Sequence, residues 1–179
     1  HWRMSPPITL PRPRRIRAIV LACSTDSGFE TVDSLTLPHG IVSFDSILAG
    51  RTANGQTALF LDSTVDLYDT SFQITDVISA RRREDGSPAL VNLLDNENLS
   101  LSKLTLRPMQ NLFCRDIDND SIIEIPTAST LPGYEDMLDE DALYLTTYNI
   151  LTPNVQLTPE HSGVINTQHR YMLAFPQNW

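Results

Sequence analysis

The residues of this chain whose types and spacing could do chemistry lie in the stretch Asp116-Ile117-Asp118-Asn119-Asp120-Ser121-Ile122-Ile123-Glu124-Ile125-Pro126. Asp116, Asp118 and Asp120 alternate with other residues, and a further carboxylate, Glu124, stands at relative position nine. Carboxylates this close raise each other's pKa unless a cation or hydrogen-bond donors compensate. The spacing is that of the first half of a calcium loop. Side-chain oxygens come at positions one, three and five, a backbone carbonyl at seven (Ile122) and a carboxylate at nine (Glu124). Ca2+ is therefore the expected cofactor, held at one structural turn. The helix-loop-helix form of such a site is excluded by Pro126, and it would need Gly at Ser121 and Glu at Thr127. A strand-turn-strand site closed by Glu124 remains. The competing reading is a solvated Asp/Asn turn held by side-chain-to-backbone hydrogen bonds.

No other constellation of comparable specificity is present. The chain has no G-x-S-x-G, no H-E-x-x-H, no phosphate loop and no dinucleotide fingerprint. His1, His39, His161 and His169 fall in turn or loop contexts, and the loose pair His161/His169 reads as surface. Glu135, Asp136, Asp139, Glu140 and Asp141 read as the solvated face of a short helix with its negative charge at the N-terminal end of the dipole. An acid/base pair for glycoside hydrolysis would be defined by separation in space, which the sequence does not give. Trp2, Trp179, Tyr134, Tyr148 and Tyr171 could form a sugar-stacking platform or fill a core.

The elements that must position the acidic turn read as strands. Arg17 to Cys23 is a buried strand followed by a turn over Ser24 to Gly28, and Leu35 to Pro38 ends at the turn His39-Gly40. Ile41 to Arg51 and Thr57 to Asp62 flank Asn54-Gly55, a strong hairpin signal because both central residues of a type I′ turn need positive φ. Phe72 to Arg82 and Ala89 to Leu94 flank Asp85-Gly86 on the same plan, and Leu101 to Cys114 and Ile122 to Ile125 flank the acidic turn. Repeated hairpins predict a stacked or radial β architecture. A propeller, a sandwich and a partial barrel all satisfy that pattern. After Pro126 comes a short helix near Glu135, or a strand over Tyr144 to Ile150, and a closing meander through Val155 to Leu157, Gly163 to Ile165 and Arg170 to Phe175.

With 179 residues, 41% of them apolar, the chain can bury a real core. Thirteen basic against 22 acidic residues give a net charge of -9, which argues against a nucleic-acid partner. The one basic patch, Arg12, Arg14, Arg15 and Arg17, lies among prolines and reads as a solvated, extended segment. No run approaches the roughly 20 apolar residues of a transmembrane helix. Ile19 to Cys23 imitates a lipoprotein cleavage site but is too short for a signal core of about 7–15 residues, so it reads as a strand. Cys23 and Cys114 could pair or remain two thiols. The chain starts at His1, which is read as the beginning of a mature fragment whose upstream signal has been removed.

Cys114 to Pro126, Leu131-Pro132-Gly133-Tyr134 and the ending Phe175-Pro176-Gln177-Asn178-Trp179 together resemble the C-terminal part of lipid-anchored proteins of Gram-positive gut bacteria. In those proteins a DINGDGIIEIP stretch is followed by PGY and a terminal FPxxW. The resemblance covers roughly residues 110–179. It implies FG-GAP or VCBS-like β-propeller repeats outside the cell membrane and attachment through a removed N-terminal lipoprotein signal. This chain departs from the pattern at Asn119 and Ser121, where that family has Gly.

The expectation is an all-β, mainly antiparallel protein of repeated hairpins, propeller-like or a partial propeller or sandwich, with a small C-terminal α/β extension. Its parts are an extended segment at 1–17, a repeated-hairpin region at 18–127 and an extension at 128–179 packed on the same domain. The expected function is a non-catalytic, extracytoplasmic binding or scaffold module whose partner is a protein or glycan of the cell surface. The alternative is a carbohydrate-active enzyme or a sugar-binding accessory domain. An intracellular regulator is a third class, which the resemblance disfavours.

Overall fold

A computed structural model describes residues 17–24, 28–67, 70–96, 99–108, 111–135, 137, 142–166, 169 and 171–176. Two four-stranded antiparallel meanders dominate it. The first is β3 (Ile41–Arg51), β4 (Thr57–Leu67), β5 (Thr70–Arg82) and β6 (Pro88–Asn92), in that spatial order. The second is β9 (Ile125–Thr130), β10 (Leu143–Leu151), β11 (Leu157–Asn166) and β12 (Tyr171–Ala174). Two smaller ribbons are β1 (Arg17–Ser24) with β2 (Gly28–Thr36) and β7 (Asp95–Asn96) with β8 (Leu99–Ser100). The molecule is thus all-β and mainly antiparallel; among the described residues the one helical element is a 3-10 turn at Ser102–Thr105.

The hairpin signals act through one recurrent turn. In Thr52–Gln56, Arg83–Ser87 and Thr152–Gln156 the first residue donates its N–H to the carbonyl of the fifth, at 3.0, 2.8 and 2.9 Å, and the fourth donates back to the first. The fourth residue is left-handed each time, with φ of 78° at Gly55, 82° at Gly86 and 57° at Val155. This is a three-residue loop ending in a glycine-type bulge. Asn54 and Asp85 tighten it, their Oδ1 accepting the N–H of Gln56 at 3.0 Å and of Ser87 at 2.9 Å. The third copy lacks the glycine, so the Asn-Gly and Asp-Gly signals were legible and Asn154-Val155 was not.

The strand expected over Leu101 to Cys114 is absent among the described residues. That segment makes the 3-10 turn and an isolated bridge from Arg107 to Gln73, and the expected third hairpin is reduced to the antiparallel bridge of Arg115 with Glu124. The reason is a polar network that turns its side chains inward. Arg107 and Asp62 are both wholly buried and paired at 2.9 Å. Arg107 also donates to the carbonyls of Thr105 and Leu112 and to Thr75 Oγ1. Asp62 accepts from Thr75 Oγ1 at 2.7 Å and from the Cys114 N–H at 2.8 Å. A buried pair of this kind is tolerable because nearly every donor and acceptor is matched.

In the C-terminal region the described residues form strands, and the expected α/β extension finds no support among them. Leu143–Leu151, with Thr146, Thr147 and Tyr148, is a central strand, as β-branched and aromatic residues favour. Among the described residues after 130 there is no helix, while most of the acidic helix expected near Glu135 lies outside them. Both meanders feed one apolar cluster: Phe60 and Val77 from the first sheet, Ile125 and Leu151 from the second, with Leu94, Cys114 and Ile123 between. Contact there is close enough that a Cβ on Gly50 would overlap the Ile123 side chain, which favours glycine at that position.

Candidate functional site

The acidic turn is anchored at both ends. Arg115 and Glu124 exchange backbone hydrogen bonds at 3.2 and 3.0 Å, and the Ile123 N–H donates to the Arg51 carbonyl at 2.9 Å. Ile123 and Ile125 enter the apolar cluster. Strand alternation then puts Glu124 on the opposite face, towards the turn.

Within the turn the carboxylates are organised by backbone N–H groups. Asp116 accepts from Asp120 at 3.1 Å and Ser121 at 3.0 Å, and Asp118 from Asp120 at 3.2 Å. Asp120 accepts from Ile122 at 2.7 Å. Asn119 and Ser121 are left-handed, with φ of 64° and 74°. Glycine is the residue that adopts such a conformation without strain.

Each of Asp116, Asp118, Asp120 and Glu124 places one carboxylate oxygen within 4.8 Å of the others. Glu124 is 0% exposed. Its Oε2 accepts the Ile117 N–H at 2.8 Å, while Oε1 has no partner among the described residues. Burial raises the Glu124 pKa against the lowering effect of the Ile117 N–H, and the charges of Asp118 and Glu160 raise it further. A buried anionic oxygen without a donor is unfavourable unless a proton or a cation meets it.

The second sheet adds Glu160, which the sequence reading left out, and His161, which it read as surface and which is half-buried. Tyr148 faces His161 but Asn149 faces Pro159, so Glu160 is the extra residue of a β-bulge in β11. Bulges re-aim side chains, and this one turns both Glu160 and His161 to the acidic turn. His161 Nε2 lies 3.5 Å from Asp118 Oδ2. Ligand atoms of Asp118, Glu160 and His161 fall within 4.8 Å of one another. Glu160 Oε2 and His161 Nε2 are buried atoms with no hydrogen-bond partner among the described residues. No spacing rule links positions forty residues apart; the available signal was Pro159 inside a strand, which favours a bulge or an edge.

The remaining candidates do not converge. Glu135 accepts the Gly133 N–H at 2.7 Å, and Asp136, Asp139, Glu140 and Asp141 lie outside the described residues, as do His1, Trp2, Arg12, Arg14, Arg15 and Trp179. Tyr148 is buried beneath the Arg115 guanidinium, 5.0 Å from the ring centroid, whereas Tyr171 is exposed. Among the described residues Tyr134 packs with Tyr148 in an apolar cluster, so these two fill a core rather than an exposed platform. Cys114 is a buried free thiol whose pKa is raised well above its ordinary value by burial and by Asp62. It is chemically quiet rather than a nucleophile. No helix among the described residues is long and apolar enough to cross a membrane. No family model, curated protein or solved structure matches this chain.

Proposed function

We propose that this chain is a non-catalytic, extracytoplasmic binding or scaffold module of the bacterial cell surface, in which Asp116, Asp118, Asp120, the Ile122 carbonyl and Glu124 hold a structural Ca2+. The observation that carries the metal reading is the wholly buried Glu124, whose Oε1 lacks a donor beside three aspartates. A hard cation with oxygen ligands satisfies that group without a proton. Asp118, Glu160 and His161 form the outer rim, and water completes the coordination.

The two four-stranded meanders, joined by one apolar core, are read as consecutive blades of a propeller-like array. The cell-surface assignment and lipid anchoring rest on the resemblance of residues 110–179, and the partner is a surface protein or glycan. A carbohydrate-active enzyme is the weaker reading. A cavity of about 330 Å3 beside β9, β10 and β11 is lined by groups such as Leu104, Thr127, Leu145 and Asn149, with no carboxylate and no aromatic ring.

Calorimetric titration of Ca2+ into the chelator-treated chain tests the metal reading. Binding that is lost in Asp118→Ala supports it. No heat of binding in the wild type, or equal binding in the variant, rejects it and leaves the turn as a hydrogen-bonded connection.

A further inference from the structure

A second cluster lies on the opposite face of the first sheet, where the sequence shows only an isolated histidine. β5 alternates: Val77 faces the core shared with the second sheet, while Ile74 and Ile78 face a separate apolar cluster with Leu37, Ile41, Leu61 and Val65. Asp76 stands between Ile74 and Ile78 and so projects into that apolar face. It is 0% exposed. Its Oδ1 accepts from Asn92 Nδ2 at 2.7 Å, and its Oδ2 has no partner among the described residues. Burial pushes its pKa up to about 6, against the opposing pull of His39 and Asn92.

Two further groups close on Asp76. His39 sits in the turn between β2 and β3, fixed inward by the buried Leu37 and Ile41 on either side. Its Nε2 lies 3.7 Å from Asp76 Oδ1 and 3.3 Å from Asp95 Oδ2. Asp95 is held by Ser102, which donates from Oγ at 2.6 Å and from N–H at 3.2 Å. Burial opposes ionisation of Asp95, but the hydrogen bonds from His39 and Ser102 outweigh it and hold its pKa below the ordinary value.

A nucleophile triad does not fit, although Ser102 Oγ is 2.9 Å from His39 Nε2. The hydroxyl and both carboxylates meet the same ring nitrogen, whereas a triad needs the hydroxyl on one nitrogen and the carboxylate on the other. Convergence on one nitrogen is instead the geometry of a shared cation. Two ligands each about 2.1 Å from a tetrahedral zinc lie roughly 3.4 Å apart, close to the observed 3.3 and 3.7 Å separations. One imidazole nitrogen and two carboxylates, with ligand atoms within 4.8 Å of one another, form an N/O donor set for zinc rather than the all-oxygen set of calcium.

We propose that His39 Nε2, Asp76 and Asp95 form a binding site for a divalent transition-metal ion of the zinc type, tying the β2–β3 turn and the β7 ribbon to the centre of β5. Three protein ligands leave a fourth position for water or the Ser102 hydroxyl. His39 is the outermost ligand, its side chain 13% exposed, and gives the ion access. Without metal, a proton on Nε2 serves the same carboxylates.

The test is titration of Zn2+ into the chelator-treated chain, with Co2+ as a spectroscopic probe. An Asp118→Asn background removes the Asp118, Glu160 and His161 cluster from the reading. The expected result is one zinc per chain in that background and a tetrahedral cobalt spectrum. Affinity should fall in His39→Gln by more than the roughly 10–100-fold that loss of an outer-sphere partner brings. Asp76→Asn is the folding control, because it removes a desolvated charge at constant shape: it should melt no lower than its parent without metal and still lose zinc binding. Absence of zinc binding in the Asp118→Asn background, or equal binding with and without His39 or the Asp76 carboxylate, overturns the proposal.

Discussion

Asp62 and Glu124 are both 0% exposed, yet their surroundings differ completely. Asp62 is met by an arginine, a hydroxyl, a backbone N–H and a thiol, all from this chain. Glu124 is met by one backbone N–H and leaves an oxygen bare. A buried carboxylate is tolerable only when the charge is answered. The chain answers Asp62 itself, which makes the Asp62–Arg107 network structural. None of the described residues donates to Glu124 Oε1, which is the ground for proposing a cation at the acidic turn. Asp76 belongs with Glu124: one oxygen is bonded by Asn92 and faces His39, and the other has no partner among the described residues.

Substitutions on the two sides of this contrast should behave in opposite ways. The largest effect is expected from Arg107→Met, which strands Asp62 as an uncompensated buried charge. A loss of about 3–5 kcal/mol is expected in urea unfolding, unaffected by calcium. Gly50→Ala should follow with a loss of about 1–3 kcal/mol, since the new methyl overlaps the Ile123 side chain, and combining it with Ile123→Ala should recover part of that loss. Simple additivity of the two would show that the close approach of the sheets is not the cause.

The pH dependence tests the two carboxylates that keep an unpartnered oxygen. A carboxyl whose folded pKa is raised contributes stability that is fully present below its unfolded pKa and is lost as pH rises through the folded value. For Asp76 the window runs from the ordinary 3.8 to about 6, and Glu124 acts in the same direction. Their contribution to the stability of the metal-free chain should therefore fall across that range, against the opposite contribution of Asp33, Asp85 and Asp95, whose values are lowered. Asp76→Asn should lose less stability than the wild type between about pH 4 and 6, and identical profiles of the two would contradict the raised value.

The smallest expected change is at Ser121. Its left-handed backbone disfavours any side chain, so Ser121→Gly should stabilise the chain by up to about 1 kcal/mol in thermal melts, with and without calcium. A loss of stability would mean that the Ser121 side chain contributes more than its backbone strain costs.

How much was legible follows from the range of each interaction. The Asn54-Gly55 and Asp85-Gly86 hairpins are local and both form, though as three-residue loops with only the glycine at positive φ rather than the expected type I′ turn; the Asp116–Glu124 spacing is local too, and that stretch is a turn. Leu101 to Cys114 misled because its leucines alternate well enough for a strand. Its conformation is set instead by Arg107 reaching Asp62 across 45 residues, which no local pattern records. The same limit hid the approach of Glu160 and His161 to Asp118, and of His39 to Asp76 and Asp95. Tyr144 to Ile150 was a choice between helix and strand, decided by pairing with both β9 and β11.

The most direct test of the central contrast is the melting temperature of the wild type and of Glu124→Gln, each with excess calcium and with a chelator, at fixed ionic strength. If Glu124 is answered by a cation, calcium raises the wild-type melting temperature, by the equivalent of about 2.7 kcal/mol when free calcium is one hundred times the dissociation constant. Glu124→Gln, which keeps the shape and removes the charge, then melts at least as high as the wild type in chelator and gains little from calcium. Equal melting temperatures for the wild type with calcium and with chelator would contradict the account, and so would an undiminished calcium response in Glu124→Gln.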